Sequence, residues 1–188
     1  VVIALFVIFF INKQITQPLS SFQTGLLNFF KYLNKETKSV DKIIVENKDE
    51  IGLMANIVNG NIEKTKLLID QDEQVINNVK AVVTDVNAGY LSNRVIQKTE
   101  NEGLEELKNI FNSMLDSISS KINTDLNAID TALNEFKNLN FTHRIDNPKG
   151  RVAEALNLLA DTINEMLVNN MQNGLNLERT SKELLNTV

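Results

Sequence analysis

The sequence predicts an all-α chain of tandem helix–connector–helix units, and three observations carry that prediction. One pattern occurs three times. Val40 and Ile44 lead to Ile51, Met54, Val58 and Ile62; Leu91-Ser92-Asn93-Arg94-Val95 leads to Leu104, Leu107, Phe111 and Leu115; Phe141-Thr142-His143-Arg144-Ile145 leads to Leu156, Leu159, Ile163 and Leu167. An asparagine stands beside the third apolar residue of each set, at Asn59, Asn112 and Asn164, so the unit recurs after 53 and then 52 residues. Secondly, two prolines and seven glycines in 188 residues leave long stretches without helix breakers. Thirdly, apolar residues outside the connectors advance in steps of three and four, the period of a coiled-coil seam.

The chain opens on Val1 to Ile11, a wholly apolar run. Eleven helical residues rise only about 16 Å, half of a hydrocarbon core about 30 Å thick. The run is expected to be the cytoplasmic end of a transmembrane helix cut by the fragment boundary, with Asn12 and Lys13 at the interface; a short core helix is the other reading. The first amphipathic helix then carries Ile15, Leu19, Phe22, Leu26, Phe29 and Leu33. Pro18 lies inside it, where it removes a backbone donor and disfavours α geometry at Gln17, so a break or kink is expected there.

Asn34 to Lys48 reads as an extended connector. The next helix starts near Asp49, whose carboxylate can cap it, and Glu50 adds favourable charge against the dipole. The second unit begins near Ile69 and its first helix shows Ile76, Val79, Val83, Val86 and Tyr90. Gly89 can end that helix in the left-handed conformation. Its connector reaches Asn101 and its second helix starts near Glu102. No turn signal separates that helix from the third unit, because Leu115, Ile118, Ile122, Leu126, Ile129, Leu133 and Phe136 carry the stripe on. The step of four and four at Ile118, Ile122 and Leu126 shifts the supercoil phase. A third connector spans about Asn138 to Gly150, and a final helix runs from about Arg151 into an Asn-rich stretch that forms helix weakly.

Two helices per unit cannot bury their own seams. Connectors of about 12 to 15 residues are long enough to let the two helices run parallel. A homodimer would close the remaining faces into tandem parallel four-helix coiled-coil bundles. Val40 and Ile44, Leu91 and Val95, and Phe141 and Ile145 would anchor the connectors. Leu19, Phe22, Leu26, Phe29, Ile51, Met54, Val58, Ile76, Val79, Val83, Leu104, Leu107, Phe111, Ile129, Leu133, Phe136, Leu156, Leu159 and Ile163 would form the bundle core.

The net charge of −5 without a basic run argues against nucleic acid as a partner, and the lack of cysteine removes disulfides and thiol chemistry. The single histidine, His143, sits in a connector with no ligand cluster beside it. Glu105-Glu106 and the group Asp70, Asp72 and Glu73 read as solvated helix faces. No phosphate loop is present. Catalytic residues, metal sites and cofactors are therefore expected to be none.

Pro18, the anchored connector and Asp49-Glu50-Ile51-Gly52 resemble the HAMP domain of membrane sensors, and Gly89-x-Leu91-x-x-x-Val95 resembles the connector motif of the same family. The resemblance covers residues 12–66, 69–118 and 119–170, which makes the chain similar to a poly-HAMP rod. It departs from the family where Lys35, Glu36 and Thr37 replace the connector glycine of the first unit. The later units lack Asp-Glu-x-Gly: Glu102-Gly103 is offset, and Ala153-Glu154-Ala155 stands in the third. Pro18, Glu50, Gly52 and Gly89 are the signalling positions the resemblance implies, with Glu50 either a helix-start charge or a contact that biases packing.

With a membrane helix before the units and Ser181 to Val188 in a helical tail over residues 171–188, the whole is similar to a bacterial methyl-accepting chemotaxis protein. That resemblance implies a homodimer in the bacterial inner membrane, with residues after about 12 in the cytoplasm. A chemotaxis kinase and its adaptor would be partners only through a region beyond this chain. The implied role is conversion of membrane-helix movement into changes of bundle packing. Thr65 and Asp72 on the projected seam, like the four-four step, suit bundles with two arrangements of similar free energy. A HAMP relay ahead of a histidine kinase or nucleotide cyclase, and a static coiled-coil spacer, are the competing readings.

Overall fold

The computed structural model describes residues 1–45 and 48–186. Glu46 and Asn47 of the first connector and Thr187 and Val188 of the tail, which fall within expectations stated above, lie outside the described residues. The described chain is all-helical. It contains α1 (Val2–Ile11), a π-helical turn (Asn12–Thr16), α2 (Gln17–Leu33), α3 (Glu50–Asn87), α4 (Glu102–Lys121), α5 (Leu126–Lys137) and α6 (Arg151–Leu185). It divides into two compact units, Val1–Glu73 and Gln74–Val188. The first holds the first repeat with residues 69–73, and the second holds the rest of the second repeat and the third.

Pro18 does not break the N-terminal helix. Its ring is buried near the start of α2, and the missing donor is absorbed just before it, where the Gln17 N–H reaches five residues back to the Asn12 carbonyl. Val2–Leu33 therefore form one helical run of 32 residues, long and apolar enough to cross a membrane. Phe22, Phe29 and Tyr32 of α2 are instead committed to a protein core with Val40, Ile43, Ala55 and Ile62.

The first helix of each repeat ends in the same way. Lys35, Gly89 and Leu139 adopt left-handed backbone, with φ of 61°, 92° and 65°. The residue after each donates to the carbonyl five back: Glu36 to Lys31 at 2.8 Å, Tyr90 to Asp85 at 2.9 Å and Asn140 to Glu135 at 2.9 Å. These are Schellman closures, which satisfy the last helical carbonyls and turn the chain into the connector. The second helices begin with side-chain caps in two repeats. Asp49 Oδ1 accepts from the N–H groups of Ile51 and Gly52, and the Asn101 side chain accepts from Leu104 N–H.

The expected uninterrupted helix through the second and third repeats is not found. It stops at Lys121 and resumes at Leu126. Asn123, Thr124 and Asp125 have polar side chains that compete for local backbone groups. Asp125 caps α5 by accepting from Asn127 N–H at 2.9 Å. The freed backbone is paired elsewhere: Leu91 N–H donates to Thr124 O, Leu126 N–H to Gly89 O, both at 2.8 Å, and Ala153 N–H to Ile122 O at 3.2 Å. The start of the second connector, the break and the start of α6 thus share one set of backbone bonds. Gly150 packs so closely there that a Cβ would sit 2.3 Å from the Ile122 carbonyl carbon and oxygen.

Candidate functional site

Each connector is held to the second helix of its repeat by one asparagine. Asn59 Oδ1 accepts from Ile43 N–H at 2.7 Å while its Nδ2 donates to Ile43 O at 2.9 Å. Asn112 does the same to Val95, at 2.9 Å in both directions. Asn157 does it to Ile145, at 2.8 and 3.0 Å. An extended residue has both its backbone groups free of any ladder, and a primary amide supplies the matching acceptor and donor.

A basic residue stands immediately before each clasped residue and pairs with an acid one helical turn beyond the asparagine. Lys42 Nζ meets Glu63 at 2.5 Å, Arg94 meets Asp116 at 2.7 Å, and Arg144 meets Asp161 at 2.6 Å. The arginines do more than neutralise charge. Arg94 Nη1 donates to the carbonyls of Leu91 and Asn93, and Arg144 Nη1 to those of Phe141 and His143. Their planar forks close the turn between the anchors, which an ammonium cannot do. The Lys42 bond holds the Glu63 carboxyl below the usual carboxylate range.

The asparagines also fix the core register. Four residues before them lie Ala55, Lys108 and Ala153, and three after them Ile62, Leu115 and Ala160, all buried. The third repeat is therefore aligned by Asn157, not by Asn164 as expected. The two differ by one heptad, a slip that leaves a seven-residue pattern unchanged.

Of the expected anchors, Val40, Leu91, Val95 and Ile145 are buried. Phe141 is half-buried and packs on Phe136 at a ring separation of 5.7 Å. Ile44 is not an anchor: it is 79% exposed, and Ile43 is buried in its place. In extended chain neighbouring side chains point to opposite sides, so only one of the two can face the helices. Gly25 of α2 makes room for it, since a Cβ there would lie 2.6 Å from Ile43 Cγ1.

Among the expected bundle positions, Phe22 and Phe29 are buried, and Leu26, Ile51, Val58, Val79, Leu104, Phe111, Ile129, Phe136 and Leu156 pack against the cores. Ile163 is half-buried. Leu19, Met54, Ile76, Val83, Leu107, Leu133 and Leu159 are exposed in the single chain. In the C-terminal half of α3 Val75 and Val82 are buried within the chain, one position before the exposed Ile76 and Val83, so two apolar stripes run side by side.

Gly52 is buried at the start of α3 and Glu50 is exposed in its first turn. Gly89 supplies the left-handed turn, and its Cβ position lies 2.6 Å from the Asn127 side chain. Tyr32 is buried at the end of α2, and burial first, then Asp70 and Glu73, push its hydroxyl above the usual range. Comparison with protein-family models, with curated proteins and with solved structures finds no match for this chain.

Proposed function

We propose that the chain is a HAMP-like relay of a membrane receptor, in which movement of an N-terminal membrane helix changes the packing of successive helix–connector–helix bundles without catalysis. The observation that carries this reading is the threefold connector clasp, which gives each repeat the same geometry of two helices and a strapped connector. A clasped connector ties a helix pair without fusing it, so the helices can change packing while the chain path is kept.

The apolar run Val2–Ile11 leads into α2 through continuous helical backbone, so displacement of the one is delivered to the other. A parallel homodimer is part of the proposal. Leu19 and Met54 in the first compact unit, and Ile76, Val83 and Leu107 in the second, are exposed apolar residues of amphipathic helices that a second copy would cover. In a bacterial chemoreceptor such a relay would act on a chemotaxis kinase and its adaptor.

Cysteines at Leu26 and Val58, introduced into the intact receptor in its membrane, are expected to cross-link between copies with a yield that changes with stimulus. An unchanging yield would leave a static spacer. Sedimentation equilibrium of the chain in density-matched micelles is expected to return twice its mass of 21.2 kDa; a single mass would remove the bundle.

A further inference from the structure

Three polar side chains are buried among the described residues, and all three belong to the second compact unit. They are Lys108 (7% exposed), Ser119 (7%) and Asn123 (3%). With Asn112 they follow one another at steps of four, seven and four; Lys108, Asn112 and Ser119 share one side of α4, and Asn123 lies just past its end. Each is spent on connector backbone. Lys108 Nζ donates to Gln97 O at 3.1 Å, Asn112 clasps Val95, and Ser119 Oγ donates to Leu91 O at 3.2 Å. Asn123 Oδ1 accepts from Lys149 N–H of the third connector at 3.1 Å, and its Nδ2 donates to Asp125 O at 2.9 Å.

Lys108 is the informative member. It occupies the position that is Ala55 in the first repeat and Ala153 in the third. Burying an ammonium opposes folding unless it is paired and bonded, and here Glu105 pairs with it. Glu105 in turn accepts from Thr99 N–H at 3.4 Å. From α3, Asn78 Oδ1 accepts from Ile96 N–H at 2.8 Å and from Gln97 N–H at 3.3 Å. The second connector is therefore bonded along its length, and the same row continues to the third connector.

We propose that the row Lys108, Asn112, Ser119 and Asn123 is a lock that makes the second and third repeats one cooperative body, so that the two repack together when the first repeat does. The division of the chain at Glu73 and Gln74 agrees with that assignment. Backbone bonding is indifferent to connector side chains, so the lock rests on the side chains of α4 and on Asn123 just past its end. The joint repacking builds on the relay reading; the lock does not.

The test is residue-resolved amide hydrogen exchange on the unstimulated full chain in micelles, comparing wild type with Lys108→Met, which keeps the stem and removes the charge. The amides of Leu91, Val95 and Thr99 in the second repeat, and of Lys149 and Ala153 in the third, are expected to accelerate together by about tenfold. Ile43 in the first repeat is expected to keep its rate. Acceleration limited to Thr99, or no acceleration, would overturn the lock. Ser119→Ala, a smaller change, is scored on the same amides should Lys108→Met lose its helical circular dichroism. No stimulus enters this measurement, so its failure is separable from failure of the cross-linking test of the relay.

Discussion

The side chain of Asn59 and the backbone of Ile43, sixteen residues apart, exchange two hydrogen bonds at 2.7 and 2.9 Å. Truncation of this asparagine leaves a part-buried N–H and C=O of Ile43 without partners. Leaving such groups unsatisfied costs about 1–3 kcal/mol. Asn59→Ala is therefore expected to lower the stability of the first compact unit by about 2 kcal/mol, read from the urea midpoint with the slope unchanged.

The third repeat gives a sharper comparison. Asn157 clasps Ile145 at 2.8 and 3.0 Å, whereas Asn164 lies one heptad further along α6. Asn157→Ala is expected to cost about 2 kcal/mol and Asn164→Ala less than about 0.5 kcal/mol, the usual range for a site outside any network. Equal costs in urea titrations of the two variants would return the register to Asn164.

How much of this was legible before the structure can be judged on these residues. Helix–connector–helix order, the connectors at Leu91 to Val95 and Phe141 to Ile145, and the starts of α4 and α6 follow from period and turn chemistry. The choice between Asn157 and Asn164, or between Ile43 and Ile44, does not. A heptad pattern is blind to a slip of seven, and two adjacent isoleucines satisfy the same local pattern. The clasp itself had a signal in the sequence: a basic residue before the anchor, and Asn followed four residues later by Asp or Glu. Three copies of that signal, at Lys42, Arg94 and Arg144, align the repeats without reference to apolar spacing. The break at Asn123 to Asp125 was hidden for another reason. Ile122 and Leu126 keep the apolar stripe, while the capping carboxylate of Asp125 and the bonds to Gly89 and Leu91 decide the backbone.

Gly25 and Ile43 are complementary in shape. Alanine at Gly25 would place a Cβ 2.6 Å from Ile43 Cγ1, a contact that forces one of them to move. Overpacking of this kind costs about 1–3 kcal/mol, against a gain of up to about 1 kcal/mol in helix propensity. Gly25→Ala is expected to destabilise the wild-type chain and to be neutral or stabilising in an Ile43→Ala background. A double-mutant cycle by chemical denaturation reads the coupling.

The bonds from Lys42 to Glu63 and from Lys108 to Glu105 lower both carboxyl pKa values in the folded chain. The folded state therefore binds fewer protons than the unfolded one in the acid range. Their contribution is present above the ordinary glutamate range and is lost as pH falls through the depressed folded values. Glu63→Gln and Glu105→Gln are each expected to flatten the stability profile below about pH 4.5, the ordinary glutamate value, and Glu63→Gln to leave its alkaline limb unchanged. Thermal melts from pH 7 downward provide the check.

Leu139 and Gly89 occupy the same place in two Schellman closures, with φ of 65° and 92°. A side chain in left-handed backbone costs about 1–2 kcal/mol relative to glycine, and the Leu139 side chain is 79% exposed, so it repays little by burial. Leu139→Gly is expected to stabilise the second compact unit by up to about 1 kcal/mol, the entropy of a more flexible unfolded chain offsetting part of the relief. Gly89→Ala is expected to act in the opposite direction and more strongly. It adds the conformational cost and also brings a Cβ within 2.6 Å of Asn127, whose amide donates to Ala88 O at 3.0 Å in the same turn. Melting temperatures of the two variants measured side by side should move apart from the wild-type value. A loss of stability in Leu139→Gly would mean that its exposed side chain has a partner in the assembled receptor.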